Sequence, residues 1–358
     1  MYPYVLLIAV PGFLALRGVQ RAASALFLVA LFYWLMVGFR FQVGMDWNNY
    51  LRIYDQTQLL GTEDIFFGRE PGFAVLNWLA GEVGGGPVFV NAVAALVFCW
   101  GFFHVAKRCR EPFLAVVVAT PLLVVGFAMS GTRQGIALGI IYYLFATWEN
   151  RRILSRMALV LLASLFHFSA VFALIFVALS TQTSIVVRSA GALIVGVIIL
   201  LIIYFAPASM EIYTETYAGA RKLTAPGAIV QVGILAAAAL VYFGYRKTWI
   251  VVNGDNPLYR DLAMASIAAL LFVAISSVAA YRFALYFWPM GMYVWGGVPA
   301  IIRSGVARAL YRFTLVTLSV VMLVGWLSFA NNSGAWLPYG NWLLQPQDVD
   351  LFRQKYSD

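Results

Sequence analysis

Apolar runs of about 17–25 residues, the length at which an α-helix crosses a hydrocarbon core, recur along this chain from end to end. Backbone inside lipid must satisfy its own hydrogen bonds, so such runs leave helices or a closed barrel as spanning structures. A barrel needs shorter segments of alternating polarity, and the runs here do not alternate. Charged residues make up 11% of the chain and hydrophobic residues 63%, against about 25% charged in a soluble domain. The mean hydropathy of +0.84 agrees. The chain reads as an all-α polytopic integral membrane protein.

Candidate spans are residues 2–16, 23–39, 87–106, 112–129, 134–149, 152–166, 168–187, 189–206, 227–245, 261–279, 283–302 and 313–330. That makes about twelve transmembrane helices, in one domain over residues 1–330. Residues 71–83 are apolar but short and end in Gly84-Gly85-Gly86-Pro87, which suits a re-entrant or interfacial helix. The N-terminus has no basic stretch before its apolar run, so it reads as a retained span. No internal repeat or low-complexity segment is visible.

Charge orients the spans. Arg17/Arg21, Lys107/Arg108/Arg110, Arg151/Arg152/Arg156, Arg188, Arg246/Lys247 and Arg303/Arg308/Arg312 belong on the cytoplasmic side. They share one side only if the chain breaks near His167. The 40–70 loop, the 207–226 loop and a tail over 331–358 then fall on the extracytoplasmic face. The 40–70 loop carries five carboxylates, Asp46, Asp55, Glu63, Asp64 and Glu70, against Arg40, Arg52 and Arg69, unlike the basic loops opposite.

The net charge of +9 sits in short clusters suited to anionic lipid and does not indicate nucleic acid. Cys99 and Cys109 are the only cysteines; neither a disulfide nor a metal-ligand spacing follows from them. A Gly-rich phosphate loop, a zinc-protease helix and a serine-hydrolase elbow are missing from the sequence. No cofactor and no metal is expected.

Polar residues at the membrane edge are where function is sought. Gly44-Met45-Asp46-Trp47-Asn48-Asn49-Tyr50 offers a carboxylate that can accept a proton and aromatics that can stack on a sugar. An interfacial belt explains the same aromatics equally well. Arg69-Glu70-Pro71-Gly72-Phe73 opens a helix, and Glu70 is either a dipole partner or a second carboxylate. Arg133, in Ser130-Gly131-Thr132-Arg133-Gln134, lies at a helix start, where a cation is disfavoured unless an anion is bound. His167 stands between aromatics in Phe166-His167-Phe168-Ser169, and can serve as a base or donate a hydrogen bond to a phosphate. His104, beside Lys107, reads as structural. Arg282, after Tyr281, is the one charge between Asp261 and Arg303, which by default marks a functional site. The aromatic stretch Trp336–Trp342 can cap an external cavity or anchor at the interface.

In this order, the motifs Gly44–Tyr50, Arg69–Phe73, Arg133-Gln134-Gly135-Ile136-Ala137, Phe166–Ala170, Tyr281-Arg282 and Pro338-Tyr339 resemble the EpsG-like family of bacterial polysaccharide polymerases, relatives of the Wzy-type polymerases. The resemblance implies a glycosyltransferase-C-like architecture in the bacterial cytoplasmic membrane. It implies donor and acceptor oligosaccharides linked to undecaprenyl pyrophosphate, joined at the extracytoplasmic face. Membrane lipid, and a chain-length regulator or export machinery, are the further partners it suggests.

The expected reaction is metal-independent attack of a sugar hydroxyl on the anomeric carbon of the donor, with undecaprenyl pyrophosphate leaving. Arg133 and Arg282 would stabilise the pyrophosphate. Asp46 and His167 compete as base, with Glu70 third. The substrate-binding set expected around them is Arg40, Trp47, Asn49, Tyr50, Arg69, Glu70, Gln134, Ser169, Tyr281 and Tyr339. A polyprenyl-phosphate-sugar glycosyltransferase and a lipid-linked glycan flippase are the alternatives; an O-acyltransferase is weaker, for want of a paired His/Asp.

Overall fold

The structure is a computed structural model that describes residues 1–19, 22–68, 70–180, 225 and 227–344, with single positions 186, 189, 191, 193 and 196. Span 189–206, the end of span 168–187, most of the 207–226 loop, Arg69 and the tail beyond 344 lie outside the described residues, single positions aside.

In chain order come α1 (Tyr2–Leu16), α2 (Ala23–Gly38), β1 (Arg40–Phe41), α3 (Trp47–Thr57), α4 (Thr62–Phe67), α5 (Pro71–Glu82), α6 (Gly86–Arg108) and α7 (Pro112–Ala119). The last continues as a π-helical segment, Thr120–Ala128. Next are α8 (Thr132–Ala146), α9 (Ile153–Ser164), a 3₁₀ segment (Phe168–Ala173) and α10 (Leu174–Leu179). Then follow α11 (Gly227–Gly244), α12 (Arg246–Asn253), α13 (Pro257–Val273), α14 (Ser277–Ala284), α15 (Trp288–Trp295), α16 (Gly305–Phe329) and β2 (Gly340–Asn341).

Local chemistry starts many of these helices. Pro71, Pro87, Pro112 and Pro257 sit in first turns, where a missing N–H breaks no intrahelical bond. Side chains of Asn256, Ser276 and Ser304 accept from backbone N–H groups of the turns they precede, satisfying donors that have no helical partner. At the bundle centre lies α7, every residue of which is buried. Beside it, α6 and α8 approach through Gly101 and Gly139. A Cβ on Gly101 would collide with the Gly139 carbonyl, and one on Gly139 with that of Val97. Small residues permit such backbone approach where lipid gives no hydrophobic drive between helices.

The expectation of about twelve spans in a glycosyltransferase-C-like array is corrected here. Among the described residues, three helices are long and apolar enough to cross a membrane: α6, α11 and α16. The other apolar runs fold into shorter pieces. The 112–129 run changes from α to π geometry just before Pro121, and the 134–149 run becomes α8, of 15 residues. The 283–302 run is divided by 3₁₀ turns at Leu285–Phe287 and Val298–Ala300. Burial accounts for the apolarity of α7 and α8, since short apolar helices form core as readily as spans, whereas α2 and α9 expose large apolar side chains such as Phe27 and Leu154. The 71–83 run forms the 12-residue α5, Pro71–Glu82, with Val83 capping it. The chain does break at His167, between the end of α9 and the 3₁₀ segment.

Residues 335–341 return to the segment after α2. β1 and β2 pair antiparallel, with Arg40 opposite Asn341 and Phe41 opposite Gly340. The Gly44 N–H donates to the Ala335 carbonyl at 2.8 Å. Trp336 is buried, its indole N–H donating to the Val125 carbonyl at 2.8 Å, inside the π segment.

Candidate functional site

A cavity of about 880 Å³ opens where the start of α3, the start of α8, the break before the 3₁₀ segment and the end of α14 converge. Asp46, Arg133, His167 and Arg282 all line it, with Asn49, Tyr50, Ser130, Gln134 and Tyr281. Asn331 and Asn332, just past α16, complete the polar part. The remaining wall is apolar: Pro121, Leu122 and Phe127 of the π segment, Val230 of α11, and Leu323, Trp326 and Phe329 of α16.

Backbone geometry delivers Asp46. Gly44 has φ +106°, and a Cβ there would strike the Met129 carbonyl, so the left-handed turn and the close approach both call for glycine. The turn sets Asp46 against Ser130. The Asp46 N–H donates to Ser130 Oγ at 3.3 Å, and that hydroxyl donates to Asp46 Oδ2 at 3.4 Å. These are long contacts, and Asp46 is exposed to the cavity. Trp47 instead turns into the protein and packs edge-on against Phe41.

Arg133 is held from several sides. Its Nη1 meets Glu70 Oε2 at 2.5 Å, and Glu70 Oε1 accepts from the Phe168 N–H at 3.4 Å. The rings of Tyr50 and Phe73 lie 5.9 and 6.0 Å from the guanidinium. The Tyr50 hydroxyl accepts from the Arg133 N–H at 3.3 Å. Arg133 Nε is buried with no hydrogen-bond partner. A cation at a helix start wants an anion nearby, and Glu70 supplies one from within the chain.

His167 precedes the 3₁₀ segment and caps it. Its Nδ1 accepts from the Ser169 N–H at 3.3 Å and lies 2.8 Å from Ser169 Oγ. A ring nitrogen that accepts carries no proton, so the neutral imidazole bears its proton on Nε2 and is a donor there. Ser169 Oγ also meets the Tyr286 hydroxyl at 2.8 Å. Gln134 Nε2 reaches Ser169 Oγ at 3.4 Å and the Arg282 carbonyl at 3.3 Å, tying α8 to the 3₁₀ segment and to α14.

Not every expected residue reaches the cavity. Arg40 is 3% exposed and lies behind the start of α8. It donates to the Val37 carbonyl at 2.6 Å, Thr132 Oγ1 at 2.9 Å and Asn91 Oδ1 at 3.2 Å. Burial pushes its guanidinium down to about 10, against the opposing influence of Tyr50, Tyr339 and Tyr4. It stays charged at neutral pH. Tyr339 packs on Tyr4 and donates to the Met36 carbonyl at 2.8 Å. Glu70 and Ser169 stand behind the lining and hold Arg133 and His167. Arg69 is outside the described residues. Ser130, Tyr286 and the Asn331-Asn332 pair join the arrangement without having been singled out. Ser130 stood within a motif already noted; Tyr286 is one aromatic in an apolar run and gives no local signal.

Comparison with known proteins gives one family: the model described as the EpsG family matches residues 24–341. No curated protein and no solved structure matches, so no likeness to a glycosyltransferase-C structure supports the architecture first expected.

Proposed function

The chain belongs to the EpsG family, of general polysaccharide-polymerase type, and on that premise we propose that its cavity joins undecaprenyl-pyrophosphate-linked oligosaccharides into longer chains at the extracytoplasmic membrane face. The observation that carries this reading is the shared lining: Asp46, Arg133, His167 and Arg282 meet in one cavity whose other wall is apolar. A glycan with a charged linker and a polyprenyl tail has the same division of polarity.

In this reading the acceptor sugar hydroxyl attacks the donor's anomeric carbon. The new C–O bond forms as the bond to pyrophosphate breaks, and undecaprenyl pyrophosphate carries away the bonding electrons. Arg133 and Arg282 stabilise that charge, since guanidinium stays protonated and binds phosphate oxygens through paired N–H groups. Nη1 of Arg133 is committed to Glu70, while the side chain as a whole is 33% exposed and lines the cavity, where a phosphate oxygen can approach it. His167, protonated at Nε2, serves as a donor to the same charge. The proton of the attacking hydroxyl passes to Asp46, whose carboxylate is only loosely held by Ser130.

The test is to give the purified protein a single lipid-pyrophosphate-linked repeat unit. A ladder of products is expected. Addition of one sugar only, from a polyprenyl-phosphate sugar, would instead identify a monomer glycosyltransferase. Movement of the unit across the membrane without new glycosidic bonds would identify a flippase.

A further inference from the structure

A second cavity, of about 620 Å³, lies between α2 and α6 and shares no lining residue with the first. The two sit toward opposite ends of α8. The first meets Arg133 in its opening turn. The second ends at Lys107, next to Arg108, whose Nε donates to the Ala146 carbonyl in the closing turn at 2.8 Å.

The walls of the second cavity are apolar: Leu26, Ala30 and Trp34 on α2, and Leu96, Cys99 and Phe103 on α6. Phe27 and Leu31 border it and are exposed. At the inner end the Trp34 indole donates to the Ala92 carbonyl at 2.9 Å. At the outer end stand His104 and Lys107. From Trp34 to Ala23 on α2, and from Leu96 to Lys107 on α6, the groove runs about 16 Å at 1.5 Å per residue. That is about half of a hydrocarbon core roughly 30 Å thick, the depth of one leaflet.

The charge at the mouth selects a head group. Lys107 is exposed and enters none of the ion pairs among the described residues. The neighbouring arginines are engaged, Arg108 on Ala146 and Arg110 on Asn253 Oδ1 at 3.2 Å. His104 Nδ1 lies 2.7 Å from the Trp100 carbonyl. A carbonyl only accepts, so Nδ1 carries the proton; Nε2 is then an acceptor and offers a phosphate no donor, which leaves Lys107 as the cation at the mouth.

We propose that this groove binds an anionic phospholipid of the adjoining leaflet, with one acyl chain between α2 and α6 and its phosphate on Lys107. The site is independent of the polymerase reading.

Native mass spectrometry of the full chain in mild detergent, with equal amounts of phosphatidylglycerol and phosphatidylethanolamine, tests it. Phosphatidylglycerol adducts should prevail by about fivefold, the effect of one basic residue near a lipid phosphate. Lys107→Glu, at an exposed position, should abolish that preference. Ala30→Phe, which fills the groove, should remove bound lipid of both kinds. Equal binding of the two lipids by the unaltered protein, or an unchanged preference in Lys107→Glu, would overturn the proposal. So would retention of polyprenyl phosphate in place of phosphatidylglycerol.

Discussion

At the scale of single residues, the candidate site divides into groups that line the cavity and groups that hold them. Arg133→Ala and Arg282→Ala should each lower polymer formation by roughly 10²–10⁴-fold, the range for lost electrostatic stabilisation, with the protein still present in the membrane. Chain-length profiles beside membrane abundance check this, and near-normal chains in both variants would sink the assignment. Asp46→Asn should cost more activity than His167→Gln, because glutamine keeps a donor whereas asparagine cannot take the proton. The reverse order would move the proton acceptor to His167. Arg40 behaves otherwise: it is buried on neutral oxygens, so Arg40→Ala should destabilise the fold by about 1.5–3 kcal/mol or more. A lower melting temperature of the purified variant would show it. The cavity's charged members were legible because a lone charge in an apolar stretch is conspicuous. Arg40 carries the same signal and is buried, since sequence reveals a charge's strangeness but not which side of a helix start it occupies.

Elements show where reading the sequence fails. Hydropathy averages apolarity and is blind to hydrogen-bond continuity, so 112–129 looks like one span although its helix changes geometry before Pro121. It is equally blind to whether lipid or protein covers an apolar face, and α7 is covered by protein throughout. The helical break at His167 falls where charge bookkeeping put one, but that bookkeeping counted about twelve crossings and three candidate spans are found among the described residues. The π segment was not legible, yet it supplies Pro121, Leu122 and Phe127 to the cavity wall, and π geometry is frequent at functional sites. The α6–α8 contact offers a clean test at this scale. Gly139→Ala should force the two helices apart, costing about 1–3 kcal/mol as overpacking does, and thermal denaturation of the purified variant would register the loss. Gly135→Ala, with open space around its Cβ position, is the control and should be neutral or stabilise by up to about 1 kcal/mol.

Across the whole molecule, the contacts that finish the cavity join segments far apart in sequence. β1 pairs with β2, Gly44 bonds Ala335, and Trp336 docks on the π segment. A truncation after Ala330 should therefore reach the membrane yet lose activity, and adding back residues through Leu344 should restore it; activity in the shorter form would disconnect this clasp from the site. The clasp also sets a time order. Ribosomes deliver Asp46 long before Trp336, so a nascent chain carries Asp46, Arg133 and Arg282 for a time without an assembled cavity. Synthesis order then acts as a safety catch: the proposed site is not assembled until Trp336 has been made.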